Sequence, residues 1–90
     1  MTSLYLEVTY RSGKPWAAYL YLPRRRGDTS ARTEQREGGI LVDYSADGRA
    51  IGIEFSSLST ISLPLVNAIL AEVSHARATE ADLAPLRLAS

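Results

Sequence analysis

Apolar and polar residues alternate one by one along the first part of the chain, a pattern that predicts β-strands. The first strand covers residues 4–10, where Leu4, Leu6, Val8 and Tyr10 alternate with Tyr5, Glu7 and Thr9. Residues 12–15 contain Gly13 and Pro15, so they predict a turn. The second strand covers residues 16–22 and ends at Pro23, which lacks the backbone N–H that a central strand needs.

A β-hairpin is predicted for residues 38–55, around which the rest of the chain is organised. Two alternating apolar sets flank the Asp47-Gly48 turn signal: Ile40, Val42, Tyr44 and Ile51, Ile53, Phe55. Opposed residues share a face of the sheet, so the two sets meet only across a loop with an even number of residues. We therefore expect a four-residue loop from Ser45 to Gly48 or a two-residue Asp47-Gly48 turn, and both place Gly48 at positive φ.

The hydrophobic period changes to that of a helix after residue 62. The apolar stripe consists of Leu65, Val66, Ile69, Leu70 and Val73. Ser62 is the expected N-cap, Pro64 suits the first turn, and the helix is expected to run to about Arg77. Thr79 and Asp82 form a second capping signal for one short turn that Pro85 closes, and the last residues are expected to be loose.

Residues 24–37 are almost wholly polar, so we expect an exposed connection whose second half could add an edge strand. The elements assemble into a single α+β domain over residues 1–90, a four-stranded antiparallel sheet with one C-terminal helix packed on one face. Its expected parts are a β-meander over residues 1–59, the helix over residues 60–78 and a tail over residues 79–90.

The face of the sheet opposite the helix is the candidate interaction face. It carries Tyr5, Glu7, Tyr19, Tyr21, Leu41, Asp43 and Glu54. Three interpretations stay open: ordinary tyrosine pairing on a solvated face, self-association through this face or a strand edge, or a site for a different protein. The three carboxylates favour a basic partner over nucleic acid.

Charge and composition remove several classes of function. The 90 residues carry a formal net charge of zero and no cysteine, which argues against nucleic-acid binding and excludes disulfides and thiolate metal sites. No segment has the pattern of a signal peptide or of a membrane span, so a cytoplasmic protein without membrane association is expected.

Candidate chemistry is sparse, so we predict that the protein is not an enzyme and binds no cofactor or metal. His75 could act as a general base, but no serine or carboxylate lies at a spacing that forces a triad. Asp43, Asp47 and Glu54 could suggest a divalent-ion site, yet they lack a calcium-loop pattern, and Asp47 with Gly48 is explained by the turn. Arg24, Arg25 and Arg26 could contact phosphate, but acidic residues share that connection and favour a solvated loop.

The hairpin resembles a family of small bacterial proteins known as domain of unknown function 2283. The similar segment is residues 39–55, with the pieces Val42-Asp43-Tyr44, Asp47-Gly48-Arg49 and Gly52-Ile53-Glu54 at the spacing of that family. Residues 18–22 resemble the other recurring strand of the family, although Trp16 and Ala17 stand where an acidic residue is usual. The resemblance covers residues 6–59 and implies a fold, with no established activity.

These observations lead to one expected function and two alternatives. We expect a small binding or regulatory module that acts through protein–protein contact, as a homodimer formed through a sheet face or edge. The resemblance also implies an antitoxin-like role beside a small basic toxin. The second alternative is a small enzyme or ligand carrier that uses His75 or the carboxylates.

Overall fold

The chain forms a five-stranded antiparallel sheet with helical segments on one side. The computed structural model describes residues 4–73 and 75–89, so residues 1–3, 74 and 90 of the expected domain lie outside the described residues. The strands are β1 (Tyr5–Arg11), β2 (Lys14–Tyr21), β3 (Arg32–Arg36), β4 (Ile40–Tyr44) and β5 (Ala50–Phe55). The helices are α1 (Leu63–Glu72) and α2 (Ala84–Ala89), each preceded by a short 3-10 segment, at Leu58–Thr60 and Glu80–Leu83.

The expected meander is wrong, because the strand order across the sheet is β1-β2-β5-β4-β3. The hairpin β1–β2 and the meander β3–β4–β5 are joined where β2 pairs with β5, with Leu20 opposite Ile53. Residues 22–31 therefore carry the chain from the middle of the sheet to its far edge. β1 and β3 are the two edge strands.

Five strands replace the expected four because the second half of the polar connection forms β3. This strand consists of Arg32, Thr33, Glu34, Gln35 and Arg36 and pairs with β4 alone. An edge strand with hydrated side chains needs no apolar alternation, so its pattern resembles that of a loop. The sequence allowed an edge strand in the second half of this connection, and the structure contains that strand.

The apolar core lies between the sheet and the helical segments. Leu20, Val42 and Ile53 from the central strands are completely buried, together with Val66 and Leu70 of α1. Leu83 completes the cluster beside β1. The expected covering of one sheet face is therefore present, although several short segments supply it and not one long helix.

Helix α1 begins where the sequence predicts and ends earlier than expected. The Ser62 hydroxyl accepts a hydrogen bond from the Leu65 N–H, and Pro64 lies in the first turn. The helix ends at Glu72 and not near Arg77, because the His75 N–H donates back to the Leu70 carbonyl and the chain reverses. Asn67 then fixes the segment that follows the helix by accepting a hydrogen bond from the Ala78 N–H at 2.6 Å.

The C-terminal segment is more regular than the predicted tail. Thr79 and Asp82 form a reciprocal capping box at the start of the second 3-10 segment. Pro85 does not close this turn, as was expected, but lies in the first turn of α2, where its missing N–H costs no hydrogen bond. Helix α2 packs against β1.

The loop of the β4–β5 hairpin differs from both predicted lengths. Five residues separate the strands, and Gly48 has φ 87°. Tyr44 pairs with Ala50 but Asp43 pairs with Gly52, so Ile51 is an additional residue in the ladder. From the sequence, an even number of loop residues was expected to match the apolar faces of the two strands. In the structure the loop is odd, and the additional residue of the bulge restores the match.

Candidate protein-contact face

The side of the sheet away from the helices is uncovered in the part of the chain that the structure describes, and we call it the open face. All seven candidate residues lie on it, in two rows that cross the strands. One row runs Glu7, Tyr19, Glu54, Leu41, Gln35 and the other runs Tyr5, Tyr21, Gly52, Asp43, Thr33. The strand alternation thus brings together residues that lie up to 49 positions apart, from Tyr5 to Glu54.

Three tyrosines form a continuous aromatic surface at the β1–β2 end of the open face. The ring centroids of Tyr19 and Tyr21 are 4.7 Å apart in an edge-on arrangement, and those of Tyr5 and Tyr21 are 5.8 Å apart. Tyr5 is 55% exposed, whereas Tyr19 and Tyr21 are partly buried by their neighbours. Large amphipathic rings of this kind are enriched in protein–protein interfaces.

Tyr19 lies across the backbone of Gly52, and this contact explains one glycine of the hairpin motif. A Cβ atom at Gly52 would lie 1.9 Å from the Tyr19 hydroxyl oxygen and 2.2 Å from the Cζ atom. The ring therefore occupies the space that any side chain at residue 52 would take. Sequence reasoning missed this contact, because the tyrosine comes from another strand.

Asp43 is the polar centre of the open face. Its Oδ2 atom accepts a hydrogen bond from the Tyr19 hydroxyl at 2.7 Å, and its Oδ1 atom accepts one from the Thr33 hydroxyl at 2.6 Å. Burial, followed by the hydrogen bond to the Asp43 carboxylate, raises the pKa of Tyr19. Asp43 thus ties β2 and β3 to β4, and its carboxylate is occupied within the protein.

Arg24 borders the open face and was missed as part of it. Its Nη2 atom donates to the Tyr19 hydroxyl at 3.1 Å and its Nε atom donates to the Ile51 carbonyl at 3.2 Å. The guanidinium also lies 5.1 Å from the Tyr21 ring centroid. Of the three consecutive arginines, Arg24 is therefore part of the sheet's polar network, while Arg25 and Arg26 are exposed.

The remaining carboxylates of the open face differ in their bonding. Glu7 accepts a hydrogen bond from the Tyr21 hydroxyl at 3.2 Å, and burial followed by this bond raises the pKa of Tyr21. Within residues 4–73 and 75–89, Glu54 makes no side-chain hydrogen bond or ion pair. Glu54 is therefore the carboxylate on this face that is most available to a partner.

The Asp47-Gly48-Arg49 turn is held by a separate ionic network. Arg49 donates to Asp47 at 2.9 Å and to Asp28 at 2.8 Å, and Ser45 donates to Asp47. The Ser45 hydroxyl and then the Arg49 guanidinium lower the pKa of Asp47 to about 2. Arg49 also lowers the pKa of Asp28. The ion pair between Arg49 and Asp28 fixes the connection between β2 and β3 to the hairpin turn.

His75 lies apart from the open face, beside an open cleft of about 500 Å³ lined also by Tyr44, Arg49 and Glu72. Arg49 is already paired with Asp28 and Asp47, and Glu72 is paired with Arg36 of β3. The His75 Nδ1 atom is 2.7 Å from the Ala76 carbonyl oxygen. The structure thus brings His75 near charged groups that are engaged elsewhere, and it does not bring Asp43, Asp47 and Glu54 together around one point.

Among the described residues, no group of three or more histidine, cysteine, aspartate or glutamate side chains is placed to hold a metal ion. No helix within the described ranges has the length and apolar character needed to cross a membrane.

The geometry defines an α+β protein in which an antiparallel sheet is covered on one side. Residues 17–59 match the model of the family described as Protein of unknown function (DUF2283), a segment that includes most of β2 and all of β3, β4 and β5. The match confirms the resemblance seen in the hairpin, with a later start than residue 6. No curated protein and no solved structure matches the chain significantly.

Proposed function

We propose that this protein is a protein-binding module that acts by self-association through its sheet. The proposal is carried by one observation: the helices cover one side of the sheet, which leaves an open face with three adjoining tyrosines and two edge strands. A chain of 90 residues has a small core of its own, so burying more of the sheet in a dimer would stabilise it.

Charge favours an edge over the open face as the place of self-association. The open face carries the carboxylate of Glu7 on the edge strand β1 and those of Asp43 and Glu54 on the inner strands β4 and β5. Arg24 is already engaged beside Tyr19, and Arg11 lies at the end of β1. Two copies stacked through this face would bring carboxylates against carboxylates. Like charges placed together disfavour such a contact.

Sedimentation equilibrium over a wide concentration range tests this proposal. The expected mass rises from that of the 9.8 kDa chain toward twice that value as the concentration increases. Tyr21→Glu and Leu41→Lys, both on the open face, separate the face from the edges. A dimer that survives Leu41→Lys is an edge dimer, and a chain that stays monomeric at all concentrations contradicts self-association.

A basic protein partner for the open face is the second candidate function. It is favoured by the three carboxylates, of which that of Glu54 has no bonding partner among the described residues, and it agrees with the antitoxin-like role that the family resemblance implies. Calorimetric titration with a lysine-rich peptide at low salt tests the charge complementarity. We expect weaker binding by Glu54→Gln than by the control Glu80→Gln, which lies in the second 3-10 segment. Equal affinities, or no binding by the unmodified protein, would rule out this use of the face.

A further inference from the structure

We propose that the β1 edges of two copies pair antiparallel about a two-fold axis at Thr9, so that Glu7 of each copy faces Arg11 of the other. This inference rests on the proposed self-association and names the interface and its register. The resulting assembly would be a continuous ten-stranded sheet with the two open faces side by side.

The two edges of the sheet differ in how well they are protected. The charged side chains of β3 are paired within the chain, because Glu34 contacts Arg32 and Arg36, and Arg36 also binds Glu72 of α1, although the Arg36 Nε atom has no hydrogen-bond partner in the described part of the chain. Paired charges along a short edge strand are a usual means of discouraging strand addition. β1 is longer, at seven residues against five, and its charges form no such network with the residues that the structure describes.

Glu7 and Arg11 of β1 are the charges that remain without an ionic partner. Within the described residues, Glu7 accepts a hydrogen bond from Tyr21, and the Arg11 guanidinium lies 4.2 Å from the Trp16 ring centroid. Neither side chain contacts an opposite charge there. Both are exposed, and the strand alternation directs both to the open-face side.

Strand geometry restricts the register of a symmetric pair. In β1, residues that hydrogen-bond toward β2 alternate with residues that point their backbone groups outward. A two-fold pair must oppose residues of equal parity, since otherwise backbone groups and side-chain faces would both be mismatched. The axis therefore passes through a residue pair, and the centres that use most of β1 are Glu7, Val8 and Thr9.

Charge selects among these three centres. A centre at Glu7 opposes the two Glu7 carboxylates, and a centre at Val8 opposes Glu7 to Thr9. A centre at Thr9 opposes Glu7 to Arg11 twice, because an isologous interface repeats every contact. It also opposes Val8 to Tyr10 on the other side of the strands. A pair of one β-branched and one aromatic residue is favourable between neighbouring strands.

The β1 backbone can accept a partner over this span. The irregularity in the β1–β2 ladder lies between Thr9 and Tyr10, where the additional residue is Trp16 on β2. β1 itself therefore keeps its regular alternation from Tyr5 to Arg11. Five residues of each strand, 7–11, can pair before Ser12 and Gly13 turn the chain away.

Two single charge reversals and their mixture test the register. Glu7→Arg and Arg11→Glu each convert both interface contacts from attraction to repulsion, so each should weaken the dimer by roughly tenfold or more. Mixing the two variants should restore a dimer, because Arg at residue 7 of one copy then faces Glu at residue 11 of the other. The double variant Glu7→Arg with Arg11→Glu should also dimerise. Glu34→Arg on β3 is the matched control, and its dimer should be unchanged.

Sedimentation equilibrium at low salt provides the measurement, with circular dichroism to show that each variant is folded. Recovery of the dimer in the mixture supports the Thr9-centred register. A dimer weakened by Glu34→Arg, or by Leu41→Lys with no effect of the β1 reversals, would overturn the edge pairing and leave self-association intact. A monomeric unmodified protein would overturn the proposed function as well.

Discussion

The contact between Tyr19 and Gly52 gives the sharpest stability prediction, for the substitution Gly52→Ala. The added methyl group would lie 1.9 Å from the Tyr19 hydroxyl oxygen and 2.4 Å from the ring atom Cε2, so the ring must move off the sheet. The backbone of Gly52 is not in the left-handed region, in contrast to that of Gly48 at φ 87°, and an alanine is allowed there. The predicted effect is therefore steric and not conformational.

The size of the effect follows from what the ring loses. Overpacking of a tight contact costs about 1–3 kcal/mol. The hydrogen bond from Tyr19 to the Asp43 carboxylate contributes a further 1.5–3 kcal/mol or so, because the acceptor is charged. Replacing glycine restores about 0.4–1 kcal/mol by restricting the unfolded chain. We expect Gly52→Ala to lower the free energy of unfolding by about 1.5–5.5 kcal/mol.

Urea unfolding followed by Trp16 fluorescence and circular dichroism measures this change. The control is the same substitution in a Tyr19→Ala background, where the ring is absent and Gly52→Ala should cost less than about 0.5 kcal/mol. If Gly52→Ala alone does not fold, the double variant should still fold. Equal losses in the two backgrounds, or a negligible loss in the original protein, would refute the steric account of Gly52.

Three other predictions concern polar contacts. Asp43→Ala removes the acceptor of both Tyr19 and Thr33 and should lower the free energy of unfolding by at least about 1.5–3 kcal/mol in urea titrations, with Asp43→Asn less severe. The lowered pKa values of Asp28 and Asp47 contribute stability that is present above their unfolded pKa of about 3.9 and is lost as the pH falls toward 2. Urea titrations between pH 5 and 2 should show this loss, and Arg49→Met should reduce it; an identical pH profile in the variant would contradict the role of Arg49. Ser62→Ala should cost about 1 kcal/mol by removing the N-cap of α1, whereas Ser59→Ala should cost little, and equal thermal shifts would argue against the cap.

Local rules predicted the elements whose sequence signal is itself local. β1, β2, β4 and β5 alternate because one side of each packs on the core, and Ser62 with Pro64 marks the start of α1. β3 gives no such signal, since an edge strand with polar side chains resembles an exposed loop. The apolar faces of the central hairpin predicted that its two strands match on one side of the sheet. An even loop was expected to produce this match, but the bulge at Ile51 produces it together with a five-residue loop.

Features set by distant parts of the chain could not be predicted. The end of α1 depends on Asn67 binding Ala78, which lies eleven residues away in sequence. The seven residues of the candidate face followed from alternation alone, whereas the hydrogen bonds of Asp43 with Tyr19 and Thr33 depend on strand order. The contact of Gly52 with Tyr19 and the place of Arg24 beside this face were missed for the same reason. Several residues of the matched family segment, among them Asp43, Arg49 and Gly52, thus make contacts that hold the sheet and its turn together.

Hydrogen–deuterium exchange measured at low and high protein concentration tests the central claim most directly, because it compares both sheet edges in one sample. If the protein self-associates through β1, the outward-pointing backbone amides among residues 7–11 should become more protected as the concentration rises. Amides of β3, residues 32–36, should exchange at the same rate at both concentrations. Protection that increases at β3, or at neither edge, would contradict the assembly proposed here.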